Sequence, residues 1–434
     1  EQPRVFLVRS ETPYQLIYLP LTDTYRPVSS GAFSLQEEYT LTVQGVHGML
    51  DAAAPDGSLV ITRWLQQPPS EGVRLINTAV AALYQRGVED PGEKVVAYRS
   101  TQTLTVLVRC RGWTAADLDQ IRRFITEKRF DLVWAPDIQP RDTNRFNQLP
   151  APVYYQLTRD LLGENREQVL RENPYRLSAP SDDQPFFFHF FTWAQTPQVL
   201  SSLGRTWQPF GGSGYLVLLA MLALVIVFSG ILILLPLFFR QRAQQGGRGK
   251  ARLRTLIFFG LLGMGFILLE IPLLQRWILP LGYPVFAFTA VVGGLLLFSG
   301  LGSITGQRVL SGRRWAQLSL LLLAGGLILI LWRGKDWMLS LRSVWRWTAA
   351  VGGLAPLGYL MGIPFPAGLS WLRKADPGLT PWAWTVNGCT SVISSVLASL
   401  LALSKGYSLV LAVGAACYLV AGMIFWTLPE TGES

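Results

Sequence analysis

Cysteine and histidine are scarce in this sequence. The 434 residues include three cysteines and two histidines, and no two cysteines form a C-x-x-C pair. A zinc site or a disulfide framework needs clusters of these residues at short, regular spacings. We therefore expect neither a metal site nor a disulfide framework in this chain.

Acidic residues are few in the second half of the chain. Residues 1–210 contain 21 Lys and Arg and 23 Asp and Glu, whereas residues 211–434 contain 17 and 5, so the net charges are −2 and +12. The basic residues of the second half lie between long apolar runs, which indicates contact with lipid headgroups. No stretch interleaves basic and aromatic residues as a nucleic-acid groove does. We expect the lipid bilayer as a partner and no nucleic acid.

The sequence has no initiator methionine and no signal-peptide pattern at its start. A secretory signal would show a basic stretch, an apolar stretch and a small-residue cleavage site. We expect the chain to be the later part of a longer polypeptide, or the visible part of one.

The first half alternates between strand and helix patterns. Residues 4–9 and the nearly all-apolar residues 14–21 predict strands, the second of them buried on both faces of a parallel sheet. Such alternation predicts an α/β sheet with right-handed crossovers. The other predicted elements are a helix at 34–53 with a Ser34–Glu37 capping box, a turn at 55–57, a strand at 58–64, a helix at 71–86, a hairpin at 94–109, a capped helix at 114–130, a strand at 131–134 and a helix at 154–172.

A polar loop follows the predicted strand 14–21. Ligands of α/β sheets bind at the carboxyl ends of the strands, so this loop is the candidate substrate site. Asp23 would contact a cationic or amine substrate, and Arg26 would contact a carboxylate. The alternative is a turn whose Asp and Ser side chains bond their own backbone. The candidate substrate-binding residues are Asp23, Tyr25, Arg26, Ser29 and Ser30.

The composition divides the chain into three parts. Residues 1–135 form the partial α/β domain, residues 136–210 form an extension, and residues 211–434 form a transmembrane domain. Within the extension, SDDQPFFFHFFTW (181–193) is rich in aromatic residues, and we interpret it as a linker at the headgroup level before the first span. Seven spans are predicted, at 215–239, 256–276, 283–305, 315–332, 347–369, 382–404 and 407–428.

Three polar residues lie within or close to the predicted spans. Glu270 lies near the middle of its span, and an ionisable residue at that depth must face protein, water or a partner charge. Glu270, Arg276 and Asn387 are candidates for a polar site inside the bundle. The alternative is a buried pair between helices, such as Glu270 with Arg373 or Asn387. The two prolines of GIPFP (362–366) break the fifth span, which suggests a transporter-like site.

Six stretches of the sequence together resemble one known family. The stretches are YQLIYLPLTDTYRPVSSGAFSLQEEY (14–39), SLVITRWLQQPPSE (58–71), APSDDQPFFFHFF (179–191), LLFSGLGS (296–303), MGIPFPAGL (361–369) and PWAWTVNG (381–388). They resemble the membrane-embedded spermidine/spermine synthase-like proteins, which are multi-span proteins with a domain of the class I S-adenosylmethionine-dependent transferase fold. The resemblance implies a partial class I methyltransferase-like, Rossmann-like α/β domain followed by an all-α bundle of transmembrane helices.

Two departures bear on the activity that this resemblance implies. Soluble aminopropyltransferases resemble YDVIxxDSSDP at this point, with the earlier Asp of DSSD as the general base. Here Gln15 and Pro20 replace two of the acids and only Asp23 matches, and a proline cannot take a proton. The Gly-rich turn that holds the cofactor is also missing from this sequence. No cofactor is detectable in this chain, and S-adenosylmethionine or its decarboxylated form would require an upstream segment.

These observations lead to three functional hypotheses. The first is a membrane-anchored spermidine synthase-like or S-adenosylmethionine-type group transferase homologue without the usual base. The second is a non-catalytic accessory subunit of a larger complex, with other membrane subunits or an N-terminal segment as partners. The third is a transporter-like protein. The positive-inside rule places the basic loop 240–254 in the cytoplasm and the soluble half outside. The resemblance implies the reverse, and we expect a protein of the cytoplasmic membrane with a cytoplasmic soluble half.

Overall fold

The computed structural model describes residues 3–10, 12–22, 35–201, 214–234, 249–309, 341 and 343–428. Its internal contacts divide the chain into two units. We call residues 6–217 the α/β unit, and residues 218–434 together with residues 1–5 the helical unit.

A mixed sheet of five strands organises the α/β unit. The strand order is β1-β2-β4-β3-β5. β1 and β2 are parallel, and β4 is antiparallel to both of its neighbours, so β2 and β3 run in the same direction. The elements up to residue 201 are α1 (Pro3–Arg9), β1 (Tyr14–Leu19), α2 (Val43–Ala52), β2 (Ala53–Trp64), α3 (Glu71–Gln85), β3 (Val95–Arg99), β4 (Thr103–Val108), α4 (Ala115–Lys128), β5 (Asp131–Trp134), α5 (Val153–Leu162), α6 (Arg166–Glu172) and α7 (Thr196–Ser201).

The core of this unit lies between the sheet and α3. Leu59 and Ile61 of β2 and Val106 of β4 are buried with Ile76 and Val80 of α3. The antiparallel ladder pairs Ile61 with Val106, so β-branched residues of adjacent strands fall on one face. Burial of this apolar face is the main stabilising term at about 25 cal/mol per Å² of apolar surface.

Local sequence signals predicted several elements correctly. The 94–109 hairpin is β3 and β4, and the strand at 131–134 is β5. The capping box of α4 is present, because Thr114 Oγ1 accepts the Asp117 backbone N–H at 3.2 Å and an Asp117 carboxylate oxygen accepts the Thr114 N–H at 3.0 Å. The five-stranded sheet and the long apolar helices that follow it confirm the coarse prediction of an α/β sheet ahead of apolar helices.

The structure corrects the prediction for the first two runs of the chain. Residues 4–9 lie in helix α1 rather than in a strand. β1 is parallel to β2, as predicted, but it is an edge strand of the described sheet and is not buried on both faces. Leu16 and Tyr18 are 60% and 54% exposed, whereas Ile17 is buried. The side chains alternate between a covered and an uncovered face of the strand.

Three further boundaries also differ from the prediction. The helix predicted at 34–53 begins only at Val43, where Thr42 Oγ1 accepts the Gly45 N–H at 3.0 Å, and Ser34 lies outside the described residues. The turn predicted at 55–57 lies within β2, which begins at Ala53, and the pairing with β1 is interrupted there, because Tyr14 pairs with Ala53 and Leu16 with Ser58. The single helix predicted at 154–172 is α5 and α6, which are separated at Gly163.

Six helical stretches of the described residues are long and apolar enough to cross a membrane. The chain is therefore an integral, multi-pass membrane protein. The span predicted at 315–332 lies outside the described residues. The remaining helices are α8 (Gly214–Phe228), which continues as a π-helical segment (Ser229–Leu234), α9 (Gly249–Leu281), α10 (Pro284–Val309), α11 (Ser343–Met361), α12 (Pro364–Ala375), α13 (Thr380–Lys405) and α14 (Tyr407–Thr427).

Helix α9 packs against both α13 and α14. The α9–α13 contact is close, because a Cβ atom at Gly263 would overlap the backbone oxygen of Asn387. Two hydroxyl groups of α13 donate to α9 carbonyls across this seam: Thr390 Oγ1 to Gly260 O at 2.8 Å and Ser391 Oγ to Gly263 O at 3.1 Å. Small residues and hydroxyl groups at a seam are typical of helix association in membranes.

Candidate functional site

The carboxyl end of β1 is the position at which the sequence predicts a ligand site. β1 ends at Leu19, which pairs with Ile61 of β2, and the exposed Pro20 follows. Position 20 therefore supplies no base at this edge. The residues predicted to contact a substrate lie outside the described residues: Asp23, Tyr25, Arg26, Ser29 and Ser30.

The adjacent end of β2 carries a buried polar cluster. Arg63 Nε donates to Glu71 Oε1 at 2.5 Å, and Gln66 Nε2 donates to Glu71 Oε2 at 2.8 Å. Ser70 Oγ donates to Gln66 Oε1 at 3.2 Å. All four side chains are buried. Because both carboxylate oxygens of Glu71 accept hydrogen bonds, the cluster ties the end of β2 to the start of α3.

Tyr154 of α5 extends this arrangement toward β3. Its hydroxyl donates to the backbone oxygen of Gln66 at 2.5 Å, and its ring lies 5.9 Å from the guanidinium carbon of Arg99 at the end of β3. Arg99 in turn lies 3.4 Å from the buried carboxylate of Asp131. That carboxylate also accepts the backbone N–H groups of residues 145–147, at 2.6 to 2.8 Å.

The polar side chains at the ends of β2 and β3 are therefore paired with other protein groups. These contacts fix the position of this edge of the sheet. The sequence analysis did not single out Arg63, Glu71 or Tyr154. An arginine within the apolar run SLVITRW (58–64) was the available signal, because a charge in a buried strand needs a partner.

Arg74 of α3 holds the aromatic segment 181–193 inside the α/β unit. Its Nε donates to Ser178 O at 2.9 Å, and its Nη1 donates to Phe187 O at 2.6 Å and to His189 O at 2.9 Å. Burial, and secondly the charge of Arg176, holds the pKa of Arg74 well below its ordinary value.

This packing differs from the predicted location of the segment at the headgroup level. The rings of Phe186, Phe187 and Phe190 are buried, and Phe187 belongs to the core of the α/β unit. The segment folds back onto α3, and its carbonyl groups accept the hydrogen bonds of Arg74. Beyond this point Trp193 is 60% exposed and contacts the ring of Tyr215 at 5.1 Å.

His189 is buried in the same segment. Its Nδ1 has no hydrogen-bond partner among the described residues. Burial, together with the nearby charges of Arg176 and Arg74, lowers the pKa of His189 to about 3. The imidazole is therefore neutral at physiological pH, and packing is the role that the geometry supports.

The three intramembrane candidates have different neighbours in the structure. Asn387 Nδ2 donates to the backbone oxygen of Phe259 at 3.0 Å, and Arg276 Nη2 donates to Ser408 Oγ at 2.9 Å. Glu270 is half-buried, and its carboxylate has no ion pair or hydrogen bond within the described residues. Asn387 contacts α9 three turns before Glu270, so the contacts of these residues do not form one site.

The predicted break in the fifth span is present between α11 and α12. It packs closely against α10, because a Cβ atom at Gly362 would overlap the backbone oxygen of Ser299, and one at Gly302 would overlap that of Tyr359. Thr305 Oγ1 and the Tyr359 hydroxyl lie 2.9 Å apart at the same contact. The break therefore lets two helices approach each other, and its geometry gives no support to a transport site.

The fold defines a class: a multi-pass membrane protein that also carries a mixed α/β unit. Comparison of the chain with protein-family models, curated proteins and solved structures found no match.

Proposed function

We propose that this chain is a membrane-anchored group-transferase homologue of the spermidine synthase-like class, which uses S-adenosylmethionine or its decarboxylated form. The soluble part would act on an amine or carboxylate substrate at the end of β1, and the helices would anchor it in the cytoplasmic membrane. A cytoplasmic position of the α/β unit belongs to this proposal, since this cofactor is cytosolic.

The strand order is the observation that carries the proposal. β4 lies antiparallel between β2 and β3, which both run parallel to β1. The class I transferase fold that the sequence resembles ends with such a hairpin, whose last strand is inserted between two parallel strands. The order β1-β2-β4-β3 supports this resemblance independently of the sequence motifs.

The position of the site gives further support. Ligands of parallel strands bind beyond the carboxyl ends, and the ends of β2 and β3 are filled by Tyr154 and its partners. Asp23 and Arg26 follow β1 by only a few residues. In the proposed function Asp23 binds the cationic group of the substrate.

Pro20 favours a second candidate function, that of a non-catalytic accessory subunit in a larger membrane complex. The position at which the resembling enzymes carry their base holds a side chain that accepts no proton. An accessory subunit would retain the α/β sheet but lack the general base that the transfer reaction needs.

Binding of the cofactor by the full-length protein separates the two candidates. We would titrate the purified membrane protein with S-adenosylmethionine and with its decarboxylated form by isothermal calorimetry. Saturable binding at micromolar concentration is expected if the transferase function holds. Binding that stays weaker than about 1 mM with both compounds, equivalent to roughly −4 kcal/mol, would favour the accessory subunit.

A pair of variants tests the location of the site. Asp23→Asn should weaken the binding of an amine substrate such as a polyamine about tenfold or more, because a charged hydrogen-bond acceptor is lost. Asp56→Asn is the matched control, because Asp56 lies in the amino-terminal part of β2 and, among the described residues, forms its ion pair with Arg111 at the surface. Equal effects of both substitutions would contradict a site at the end of β1.

A further inference from the structure

The start of α9 and the ends of α12 and α14 lie close together in the helical unit. Arg252 Nε, in the first turn of α9, donates to Asp376 Oδ2 at 3.1 Å, and Asp376 directly follows α12. The ring of Phe258 stacks on that of Phe425 near the end of α14, with centroids 5.1 Å apart. The start of α9 and the ends of α12 and α14 therefore lie at the same end, which we call the basic end.

Three cations of the basic end have no side-chain partner within the part of the helical unit that the structure describes. Arg254 of α9 and Arg373 and Lys374 of α12 are exposed, and none of them forms an ion pair or a side-chain hydrogen bond within the described residues. Among the described residues of this end, Asp376 is an acid, and its carboxylate accepts from Arg252. The basic end therefore has an excess of positive charge at the limit of the apolar spans.

The opposite end of the same helices uses its cations differently. Arg276 donates to Ser408 Oγ at 2.9 Å, and the buried Arg346 donates to the backbone oxygens of Leu341 at 2.8 Å and Pro280 at 3.1 Å. Lys405, the last residue of α13, is exposed. Two of the three cations described at this end thus donate hydrogen bonds to protein oxygens.

Aromatic side chains place the basic end at the depth of lipid headgroups. Trp384, in the second turn of α13, is 58% exposed, and Trp426, at the end of α14, is 65% exposed. Trp371 of α12 is half-buried and packs on Phe425. Tryptophan is enriched where the hydrocarbon meets the headgroups, since its ring is apolar and its N–H needs a wet partner.

We propose that Arg254, Arg373 and Lys374 bind the phosphates of anionic phospholipids at the basic end. Arginine and lysine supply charge-assisted donors to phosphate oxygens, and the acyl chains would lie along the exposed apolar surface below. Charge complementarity selects an anionic lipid, and the exposed tryptophans place its phosphate at the ends of these helices.

Native mass spectrometry of the full-length protein tests this site. The protein is reconstituted in a phosphatidylcholine bilayer with a minor fraction of phosphatidylglycerol, extracted in mild detergent, and weighed with its retained lipid. The wild-type protein should retain phosphatidylglycerol in excess over its share of the bilayer. The triple variant R254Q/R373Q/K374Q should lose this excess, and each single variant should reduce it about fivefold, the contribution of one basic residue near an anionic surface.

Lys374→Gln and Lys405→Gln form a matched pair. Each lysine is exposed and lies in the last turn of a helix, so the helix dipole acts equally on both. Lys405→Gln should leave the retained phosphatidylglycerol unchanged. Equal loss in the two variants, or retention of both lipids in proportion to the bilayer, would overturn the proposal.

Inorganic phosphate distinguishes a lipid from a soluble anion. Added in excess to the extracted protein, it should not displace a lipid that is also held by its acyl chains. Complete displacement would overturn the lipid assignment and assign the three cations to a soluble phosphate. The elution volume of each variant in size-exclusion chromatography confirms that it is folded.

Discussion

Arg63 Nε and Glu71 Oε1 lie 2.5 Å apart, and both side chains are buried beneath the carboxyl edge of the sheet. The pair joins the end of β2 to the first residue of α3. Gln66 donates to the other carboxylate oxygen of Glu71. Glu71 therefore connects the start of α3 both to the end of β2 and to the loop that follows it, at the edge where a ligand site is expected.

Loss of the Glu71 charge should therefore destabilise the α/β unit. Glu71→Gln leaves Arg63 as a buried cation without its counter-charge, and the expected loss is about 3–5 kcal/mol in the free energy of unfolding. Denaturant unfolding of the full-length protein, followed by intrinsic fluorescence, measures the shift. The surface variant Asp56→Asn breaks only the exposed pair with Arg111 and should cost less than about 1 kcal/mol. Similar losses in the two variants would contradict the structure.

Acid should destabilise this unit through His189. The pKa of His189 is about 3 in the folded state, against about 6.5 in an unfolded chain. Below about pH 6.5 the unfolded state binds a proton that the folded state does not bind. Stability is thus complete above that pH and falls by about 1.4 kcal/mol per pH unit down to about pH 3.

The variant His189→Gln isolates this contribution. Between pH 7 and pH 5 the wild-type protein should lose about 2 kcal/mol more than the variant. The free energy of unfolding, measured at several pH values, gives the difference. Parallel curves for wild type and His189→Gln would show that the histidine is protonated in the fold.

A methyl group at Gly263 should weaken the helical unit. The new Cβ would overlap the backbone oxygen of Asn387, so α9 and α13 must separate, at about 1–3 kcal/mol. Gly293→Ala is the control, since its Cβ meets nothing within 4 Å, and alanine favours the helix by up to about 1 kcal/mol. The temperature at which the detergent-solubilised protein aggregates should fall for the first variant only. A fall for both would indicate that the helical unit tolerates no added methyl group, whatever the contact between α9 and α13.

The two ends of α13 should be accessible from opposite sides of the membrane. Lys374 precedes this helix closely and Lys405 is its last residue, so cysteines at these positions should react with an impermeant maleimide from different sides. The half-buried Cys110 is first replaced by serine, and Cys389 and Cys417 are buried. Labelling in right-side-out and inverted vesicles gives the orientation. Reaction of both cysteines from one side would contradict α13 as a membrane span.

Signals that operate within a few residues predicted their elements well. The hairpin of β3 and β4, the capping box at Thr114 and the break between α11 and α12 depend on neighbours in sequence. The apolar spans were also predicted in the described part of the chain, because length and composition alone decide whether a helix can cross a bilayer.

Features that depend on distant residues were not predicted. The apolar run of β1 read as a fully buried strand, but its exposure depends on whether other elements cover its second face and edge. Arg74 donates to the carbonyl group of Phe187, which lies 113 positions later in the sequence. No local sequence pattern indicates such a contact. At the candidate site, the sequence indicated the loop after β1 and missed the Arg63–Glu71 pair, because that pair forms only when a strand end meets a helix start.

The central position of β4 also sets an order of assembly. β4 follows both of its neighbours in the sequence, so β2 and β3 are synthesised before the strand that lies between them in the sheet. A nascent chain that stops short of residue 103 can dock β1 on β2 but leaves the middle of the sheet vacant. Translation must therefore proceed past the β3–β4 hairpin before the sheet is complete, and a pause upstream of the hairpin prolongs the time for which the facing edges of β2 and β3 are unpaired.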